Sequence, residues 1–580
     1  MTGNEMRRKM TRIDNEIQMT LKAYDGDIRR VLSDNDRLDI LYALSDQREL
    51  LLEWYDFEPD AKLLQVGADY GAMTGLYRSE VAQVTVLDTN KEALETVRLR
   101  YPGAESIDYV QKSLAEYASE AENVYDYVMM VGQEKALCQQ EIDDAKRLLK
   151  PDGILIVAVP NALGMKYLAG TAREENALTK KRLQTMLCGD FLSAEVGQGR
   201  GACMKTGFLR FYYPMPDYRT PISIYSDAYL PKKGDLTRVI PAYDYPQYHV
   251  MDMGEGFDAV CEDGNFDLYA NSYLVFWSAD EEKLKRQSER IYIKYNKTRK
   301  EEFQIKTCIC RKEEAELSEN REMANPKEDN AWYVEKAALS LKGMGHIWSF
   351  EEKYRSLSRQ HRSLRVASPS YQEDKNAAFF PYLTGQTWAE KLGEELQDGK
   401  LPLALLQDAI GQIYDMAPES QKDFVRTEEF LEVFGGGRTD QELTESELAL
   451  LEMDTSREVS NIDALFENIL LTEDGNYCLD YEWVFAFPVP EHFVKYRILY
   501  YFCEQYGSLL GKVGADEILA AFAITPEQVQ VYHKMEISFQ NYVHGENQQR
   551  YLGNYMVSSL GREQIRRVES DLMRARERIE

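Results

Sequence analysis

None of the eight cysteines, at 138, 188, 203, 261, 308, 310, 478 and 503, has a CxxC partner. Cys308 and Cys310 alternate in a strand-like run and so share one face. The set reads as reduced thiols, mostly in cores, in a reducing compartment. Long apolar runs are missing too. The longest, Ile154 to Pro160, falls far short of the ~20 residues of a membrane span. The first residues, MTGNEMRRKM, are charged and lack the apolar stretch of a secretory signal. Basic residues are the third shortage: 69 Lys and Arg stand against 98 Asp and Glu, a net charge of −29. Such a field repels phosphate backbones, which disfavours a nucleic-acid substrate. These absences describe a soluble cytoplasmic protein without a transmembrane segment, whose membrane attachment would run through partners.

What is present suffices for several cores. The 580 residues, 44% hydrophobic, exceed one ordinary domain. The 38 tyrosines suit polar, ring-lined clefts such as sugar sites. Residues 1–55 read as polar and then amphipathic helices, with Leu38, Leu41 and Leu44 at helical spacing. From 56 to 280, short apolar runs (KLLQVG, QVTVLD, YDYVMMVG, GILIVAVP) alternate with helical stretches. That pattern predicts α/β architecture, a Rossmann-like parallel sheet built from βαβ units. An irregular insert rich in Tyr, Pro and Asp, 218–270, interrupts it. From 285 to 545 a second set of strand-like runs (RIYIKYN, EFQIKTCICR, WYVEKAAL) leads into largely helical sequence, an α+β pattern. The tail, 546–580, places Ile565, Val568, Leu572, Ala575 and Ile579 on a heptad seam. A simple amphipathic end helix fits the same spacing, and the oligomeric state, a homo-oligomer included, stays open.

The segment Leu63-Leu-Gln-Val-Gly67-Ala-Asp69-Tyr-Gly71-Ala-Met-Thr74-Gly75 has the form strand, tight turn, helix. A nucleotide-like ligand pressing its polar edge on backbone needs glycine at such a turn. A second strand, Val84-Thr-Val-Leu-Asp88, ends in an acid that can accept hydrogen bonds from ribose hydroxyls. Asp126 opens a further strand, and Leu149-Lys-Pro-Asp-Gly153 precedes the next. This ordered set resembles the class I S-adenosylmethionine-dependent methyltransferases over roughly residues 60–160. The resemblance implies S-adenosylmethionine as cofactor, held by Gly67, Asp69, Gly71, Thr74 and Asp88. Two departures stand out. Asp69 replaces the family's middle glycine, and Gln65 replaces the usual acid two residues before Gly67. A Rossmann-like domain that takes another nucleotide, or none, remains the rival. The insert would cap the site, with Tyr213, Asp217, Tyr218, Tyr225 and Asp227 either meeting an acceptor or only shaping the lid.

In the second half the run Asn461-Ile-Asp463-Ala-Leu-Phe-Glu-Asn468 is followed by a hairpin and then Asp480-Tyr-Glu-Trp483. Phosphoryl transfer needs a carboxylate at the acceptor hydroxyl, and an amide oxygen and a second carboxylate on Mg²⁺. The run supplies all three in order. It resembles the aminoglycoside phosphotransferases and small-molecule kinases of the bilobal protein-kinase-like fold. The resemblance implies ATP and Mg²⁺, Asp463 as catalytic base, and Asn468 and Asp480 as metal ligands. It makes Lys336 the strand lysine on the phosphates, with Glu351 or Glu352 of the next helix as its partner. The phosphate-covering loop is the weak part: Tyr295-Asn-Lys-Thr-Arg-Lys-Glu holds no glycine. Grip there would fall to Lys297, Arg299 or backbone amides.

The order of the parts resembles bifunctional kinase–methyltransferases that terminate bacterial O-antigen chains. That implies a glycan or lipid-linked saccharide acceptor, phosphorylated and then methyl-capped, and a C-terminal helix that docks glycosyltransferases. Two rivals stay in play: a monofunctional methyltransferase with an inactive kinase-like scaffold, and a non-catalytic scaffold throughout.

Overall fold

The computed structural model describes residues 15–133, 135–189, 207–236, 248–286, 289–311, 332–372, 376–398, 403–436, 442–510, 514–545, 555 and 560–561. The chain forms two compact units, Met1–Tyr295 with Gln549–Glu580, and Asn296–Gln548. The first boundary falls later than the expected 280–285. Its cause is Arg290–Tyr295, which pairs antiparallel with Ser223–Ser226 through Ile293 and Ile224. The heptad positions Ile565 to Ile579 lie outside the described residues.

The first unit is built on one sheet. Its strands are β1 Lys62–Val66, β2 Gln83–Leu87, β3 Ile107–Val110, β4 Tyr125–Val131, β5 Leu149–Pro160, β6 Phe208–Met215, β7 Ser223–Ser226, β8 Ser272–Ser278 and β9 Arg290–Tyr295. They lie in the order β3-β2-β1-β4-β5-β8-β6-β7-β9. The first five run parallel. β8 inserts antiparallel between β5 and β6. Every residue of β4 and of β8 is buried, as a sheet covered on both faces requires. One cover is the helix α1, Gln139–Leu148, which turns Ile142, Ala145 and Leu148 inward. The strand order reverses between β1 and β4, so their carboxyl ends frame the crevice where ligands bind in open α/β sheets.

Two motif residues serve this frame. Asp126, at the amino end of β4, accepts from the Lys62 N–H at 2.9 Å and from Lys150 Nζ at 2.7 Å. Burial opposes its charge, but Lys150 and the Lys62 amide hold its carboxyl below the usual range. Lys150 to Gly153, expected as a turn before the strand, are already part of β5, and the Asp126–Lys150 pair joins the amino ends of β4 and β5. Elsewhere in the unit, Leu32 and Leu41 pack with Tyr555, whose hydroxyl donates to the Leu32 carbonyl at 3.0 Å.

The second unit holds a small antiparallel sheet and a helical part. Strands β10 Ile305–Arg311, β11 Trp332–Ala338 and β12 Ala377–Pro381 pair in that order. The helix α2, Met344–Gln360, lies between β11 and β12 in sequence and packs against both. A hairpin, β13 Ile469–Thr472 and β14 Gly475–Cys478, pairs with Gln386–Thr387 on one side and Arg365–Val366 on the other. Long helices α3, Glu491–Tyr506, and α4, Pro526–His544, bury Phe493, Tyr496, Tyr532 and Met535 in the same core as Trp388 and Leu392. A capping box at Thr525 with Gln528 starts α4. Among the described residues no helix is long and apolar enough to cross a membrane.

Leu155 of β5 is fully buried at the centre of the first sheet. Leu155→Ala should destabilise that unit by about 2–5 kcal/mol, seen as a lower melting midpoint.

Candidate active site

At the carboxyl end of β1 the backbone enters the left-handed region four times: Gly67 at φ +87°, Asp69 at +41°, Tyr70 at +51° and Gly71 at +78°. The φ of Gly67 would strain any side chain there, and a Cβ would lie 3.0 Å from the end of the Gln133 side chain. The loop is held from behind. Gln65 donates to the carbonyls of Gly67 and Ala68 at 2.9 and 3.1 Å, and accepts from the Thr74 hydroxyl at 2.7 Å. Gln65 therefore acts as a loop clamp where an acid is usual. Thr74, expected at the cofactor, is fully buried and supports the loop instead.

Asp88, at the end of β2, is half-buried. It accepts from the Ala68 N–H and the Asn90 N–H, both at 2.8 Å, one on each oxygen. Each carboxylate oxygen keeps further lone-pair capacity, so the pair can still receive two ribose hydroxyls. Asp69 takes a different place from the one its motif position implies. Its carboxylate turns to Arg48 at 2.6 Å and lies against Gly132, whose Cβ would meet it at 2.6 Å. Burial pushes this carboxyl up, and Arg48 pulls it back. The cradle fits a nucleoside-type group: a left-handed glycine loop whose Gly67, Ala68 and Gly71 N–H groups are held by Leu87, Asp88 and Ala68, an anchored acid, and a Gln133 side chain that closes over Gly67 by donating to the Val66 carbonyl at 2.5 Å.

Beyond the ends of β5 and β6 lies a charged rim. Lys166 is fully buried and donates to Glu174 and to Asp217, both at 2.8 Å. Arg219 pairs with Glu174 and stacks over Tyr42. Burial alone would raise Asp217, but Lys166 and Arg219 hold it below the usual carboxylate range. Nearby, Lys180 binds the Tyr213 hydroxyl at 2.6 Å, Asp227 at 3.1 Å and Asp267 at 2.7 Å. Tyr218 and Tyr225 are buried, Tyr225 among Tyr229 and Tyr292. The five residues named from sequence, Tyr213 and Asp217 just before the insert and Tyr218, Tyr225 and Asp227 in it, thus bind one another, their cations and neighbouring rings. Arg48, Gln133, Lys166, Glu174 and Arg219 had no sequence signal beyond charge or polarity.

In the second unit the named residues also gather. Lys336, 6% exposed on β11, donates to Asp480 and, at 2.7 Å, to Glu482. Asp480 is a non-glycine residue at φ +47°, a conformation that costs of order 1 kcal/mol and concentrates at functional sites. Asn468 donates from its amide nitrogen to the Asp463 carbonyl at 2.8 Å, leaving the amide oxygen for a cation. Asp463 accepts from the Trp483 N–H at 2.8 Å. Burial pushes the Asp463 carboxyl up to about 7; Asp480 and Glu482 add to the rise, while Arg497 and that N–H oppose it. Among the described residues no three His, Cys, Asp or Glu form a metal cage. One amide and one carboxylate fit Mg²⁺, which takes few protein ligands beside phosphate oxygens and water.

One expected contact is corrected. Neither helix acid pairs with Lys336. Glu351 binds Arg355 at 2.7 Å along the helix surface, and Glu352 is exposed. The position that faces the site is Lys353, whose ammonium donates to the Glu482 carbonyl and which burial pulls down to about 8.

Asp88→Ala should weaken S-adenosylmethionine binding by about 1.5–3 kcal/mol per charged hydrogen bond lost. Calorimetric titration checks this, and unchanged affinity would remove Asp88 from the ribose.

A sequence profile of the family described as "Methyltransferase domain" matches residues 64–157, which span β1 to β5. No curated protein matches the chain. Among solved structures, a SAM-dependent methyltransferase from Archaeoglobus fulgidus shares 13% identity over 41% of this chain and 93% of its own, with a TM-score of 0.25. The N-methyltransferase NodS from Bradyrhizobium japonicum, in complex with S-adenosyl-L-homocysteine, shares 15% over 26% of this chain and 74% of its own, TM-score 0.18. The cyclase SpnF shares 21%, with a TM-score of 0.18; the match covers 20% of this chain and 44% of SpnF. At these scores the likenesses add no argument, and the assignment rests on the profile match together with the loop and acid it spans. The chain carries a class I S-adenosylmethionine-dependent methyltransferase domain in its first unit.

Proposed function

We propose that the protein is a bifunctional transferase of bacterial surface-polysaccharide synthesis. Its second unit phosphorylates a hydroxyl at a glycan end, and its first unit caps that end with methyl. The reading places it in the cytoplasm, peripheral to the membrane through partners, with glycosyltransferases met by the C-terminal segment. The observation that carries the phosphotransferase half is the convergence of Lys336, Asp463, Asn468 and Asp480 around one carboxylate cluster, with Asp463 near neutrality.

In the first unit, Asp88 and the close backbone approach offered by the Gly67–Gly71 turn would hold the nucleoside part of the cofactor. When bound, S-adenosylmethionine supplies an electrophilic methyl group. The chain's own task is to orient the acceptor, and a phosphate oxygen needs no base to become nucleophilic. In the second unit, Asn468 and Asp480 would hold Mg²⁺, and Lys336 the nucleotide phosphates. Asp463 would accept the proton of the acceptor hydroxyl. A carboxyl at about 7 is matched to that role, because near neutral pH it is partly ionised and still basic enough to take up a proton.

A second reading has its own observation. The turn at 296–300 has no glycine, and its Arg299 is already bound to Glu482. In that reading the second unit is an inactive scaffold and the protein is a monofunctional glycan methyltransferase. Titration of Mg²⁺·ATP into the full-length protein, with S-adenosylmethionine as control, separates the two. Binding of both supports bifunctionality. Binding of S-adenosylmethionine alone leaves the scaffold.

Two outcomes are expected. Asp480→Ala should abolish Mg²⁺-dependent phosphoryl transfer with S-adenosylmethionine affinity intact. The transfer rate should climb with pH through about 7 as Asp463 ionises. The same group acts on stability with the opposite sense. Its raised folded-state value stabilises the fold fully below the ordinary aspartate range and less as pH rises through about 7. Asp463→Asn should flatten both profiles.

A further inference from the structure

The segment Asp480-Tyr481-Glu482-Trp483 carries two carboxylates of different character. Asp480 has half its side chain exposed, whereas the Glu482 side chain is 3% exposed. Glu482 receives Lys336 on Oε1 at 2.7 Å and Arg299 on Oε2, and His346 Nε2 stands 3.7 Å from that second oxygen. Its backbone carbonyl takes the Lys353 ammonium of α2.

We propose that Glu482 is the positioning residue of the nucleotide site: it aims Lys336 and Arg299 together at the phosphates, in place of a helix acid and a glycine loop. The inference rests on the phosphotransferase reading and adds a residue to it.

Three observations carry it. First, the helix offers no competing acid, since Glu351 is spent on Arg355 and the inward position is a lysine. Second, the two partners of Lys336 differ in access. A cation arriving with phosphates can draw off the exposed Asp480, while the buried Glu482 stays on the lysine. Lys336 then keeps its aim through binding. Third, Arg299 sits on a built turn. Gln304 Nε2 donates to the carbonyls of Lys297 and Arg299 at 2.9 and 2.7 Å, and the Lys300 N–H donates to the Val543 carbonyl at 2.8 Å. The guanidinium lies 5.6 Å over the Trp483 ring. Glycine eases the close approach of backbone amides to phosphate, and where a turn lacks it a fixed guanidinium can grip phosphate with paired N–H donors. Among the described residues, Glu482 is thus a side chain that hydrogen-bonds both Lys336 and Arg299.

The test is calorimetric titration of Mg²⁺ with a non-hydrolysable ATP analogue into the full-length protein. Glu482→Gln and Arg299→Ala should each weaken binding by about tenfold, the worth of one charge-assisted contact. Their combination should weaken it little more than the stronger single change, because both remove one coupled unit. Glu351→Gln should bind as wild type. A purely structural Glu482 would lower the melting temperature without this pattern of affinities. Wild-type affinity in Arg299→Ala, additive losses in the double variant, or an equal loss in Glu351→Gln each overturns the proposal. If Glu482→Gln does not fold, Arg299→Ala against wild type decides alone. If the wild type binds no analogue while binding S-adenosylmethionine, the phosphotransferase reading falls and this inference with it. Wild-type binding with unaffected variants overturns this inference only.

Discussion

A carboxylate taken out of water must be met by a cation or by a proton. Both sites in this chain are organised by which of the two each acid receives. Asp69 receives Arg48, Asp217 receives Lys166, and Glu482 receives Lys336 and Arg299. Asp217 and Glu482 are thereby held as charges, whereas burial leaves the Asp69 carboxyl raised despite Arg48; all three serve as anchors. Among the described residues Asp463 receives no such partner. Arg497, the cation that acts on it most strongly, is committed to Glu536 and to the Ile462 carbonyl, Lys353 and Arg299 act on it without bonding it, and two other acids stand close. It therefore rises toward neutrality and becomes the acid of its cluster able to exchange a proton at physiological pH. Environments that push neighbouring carboxylates apart assign their roles. In a chain of net charge −29 the buried cations are the scarce resource, and where they are spent decides which acids remain reactive.

The sheet of the first unit was legible because its information is local. Short apolar runs with helical stretches between them force βαβ units, and a turn that needs left-handed backbone shows itself as Gly67 and Gly71. Asp88 was legible for the same reason, as it ends a strand. The anchors were not. Arg48 lies 21 residues from Asp69, and Lys336 lies 146 from Glu482. A buried arginine and an exposed one look alike in sequence, so only the tertiary fold pairs them. Thr74 misled by the same blindness, since a polar residue in a binding motif can face the ligand or hold the loop behind it.

The misplaced helix acids are a different kind of miss. His346, Ile347, Phe350 and Leu357 are among the buried residues of α2. That stripe has helical spacing, and Lys353 falls in phase with Phe350 and Leu357, whereas Glu352 falls opposite it and Glu351, one turn after Ile347, lies at its edge. The phase is written in the spacing of the apolar residues alone. Chemistry borrowed from a resemblance placed an acid there, and the physical pattern of the helix placed a lysine. On the proposed reading the acid comes instead from the segment that carries Asp480, as Glu482.

The same logic of commitment bears on methyl transfer. Tyr213 is tied to Lys180 and to Asp227, and burial together with that carboxylate drives its phenol well above the ordinary range. Lys166 is shared between two acids. Groups held in this way orient and exclude water; they do not accept protons. A rim of that kind suits an acceptor that arrives already anionic, for which placement alone supplies the rate. A phosphate monoester at a glycan end is such an acceptor, and phosphoryl transfer to a hydroxyl is the reaction that makes one. On the proposed reading the two units are thus linked by the charge of the shared substrate: the acceptor hydroxyl gives up its proton at Asp463, and the phosphate it receives reaches the methyltransferase unit already anionic.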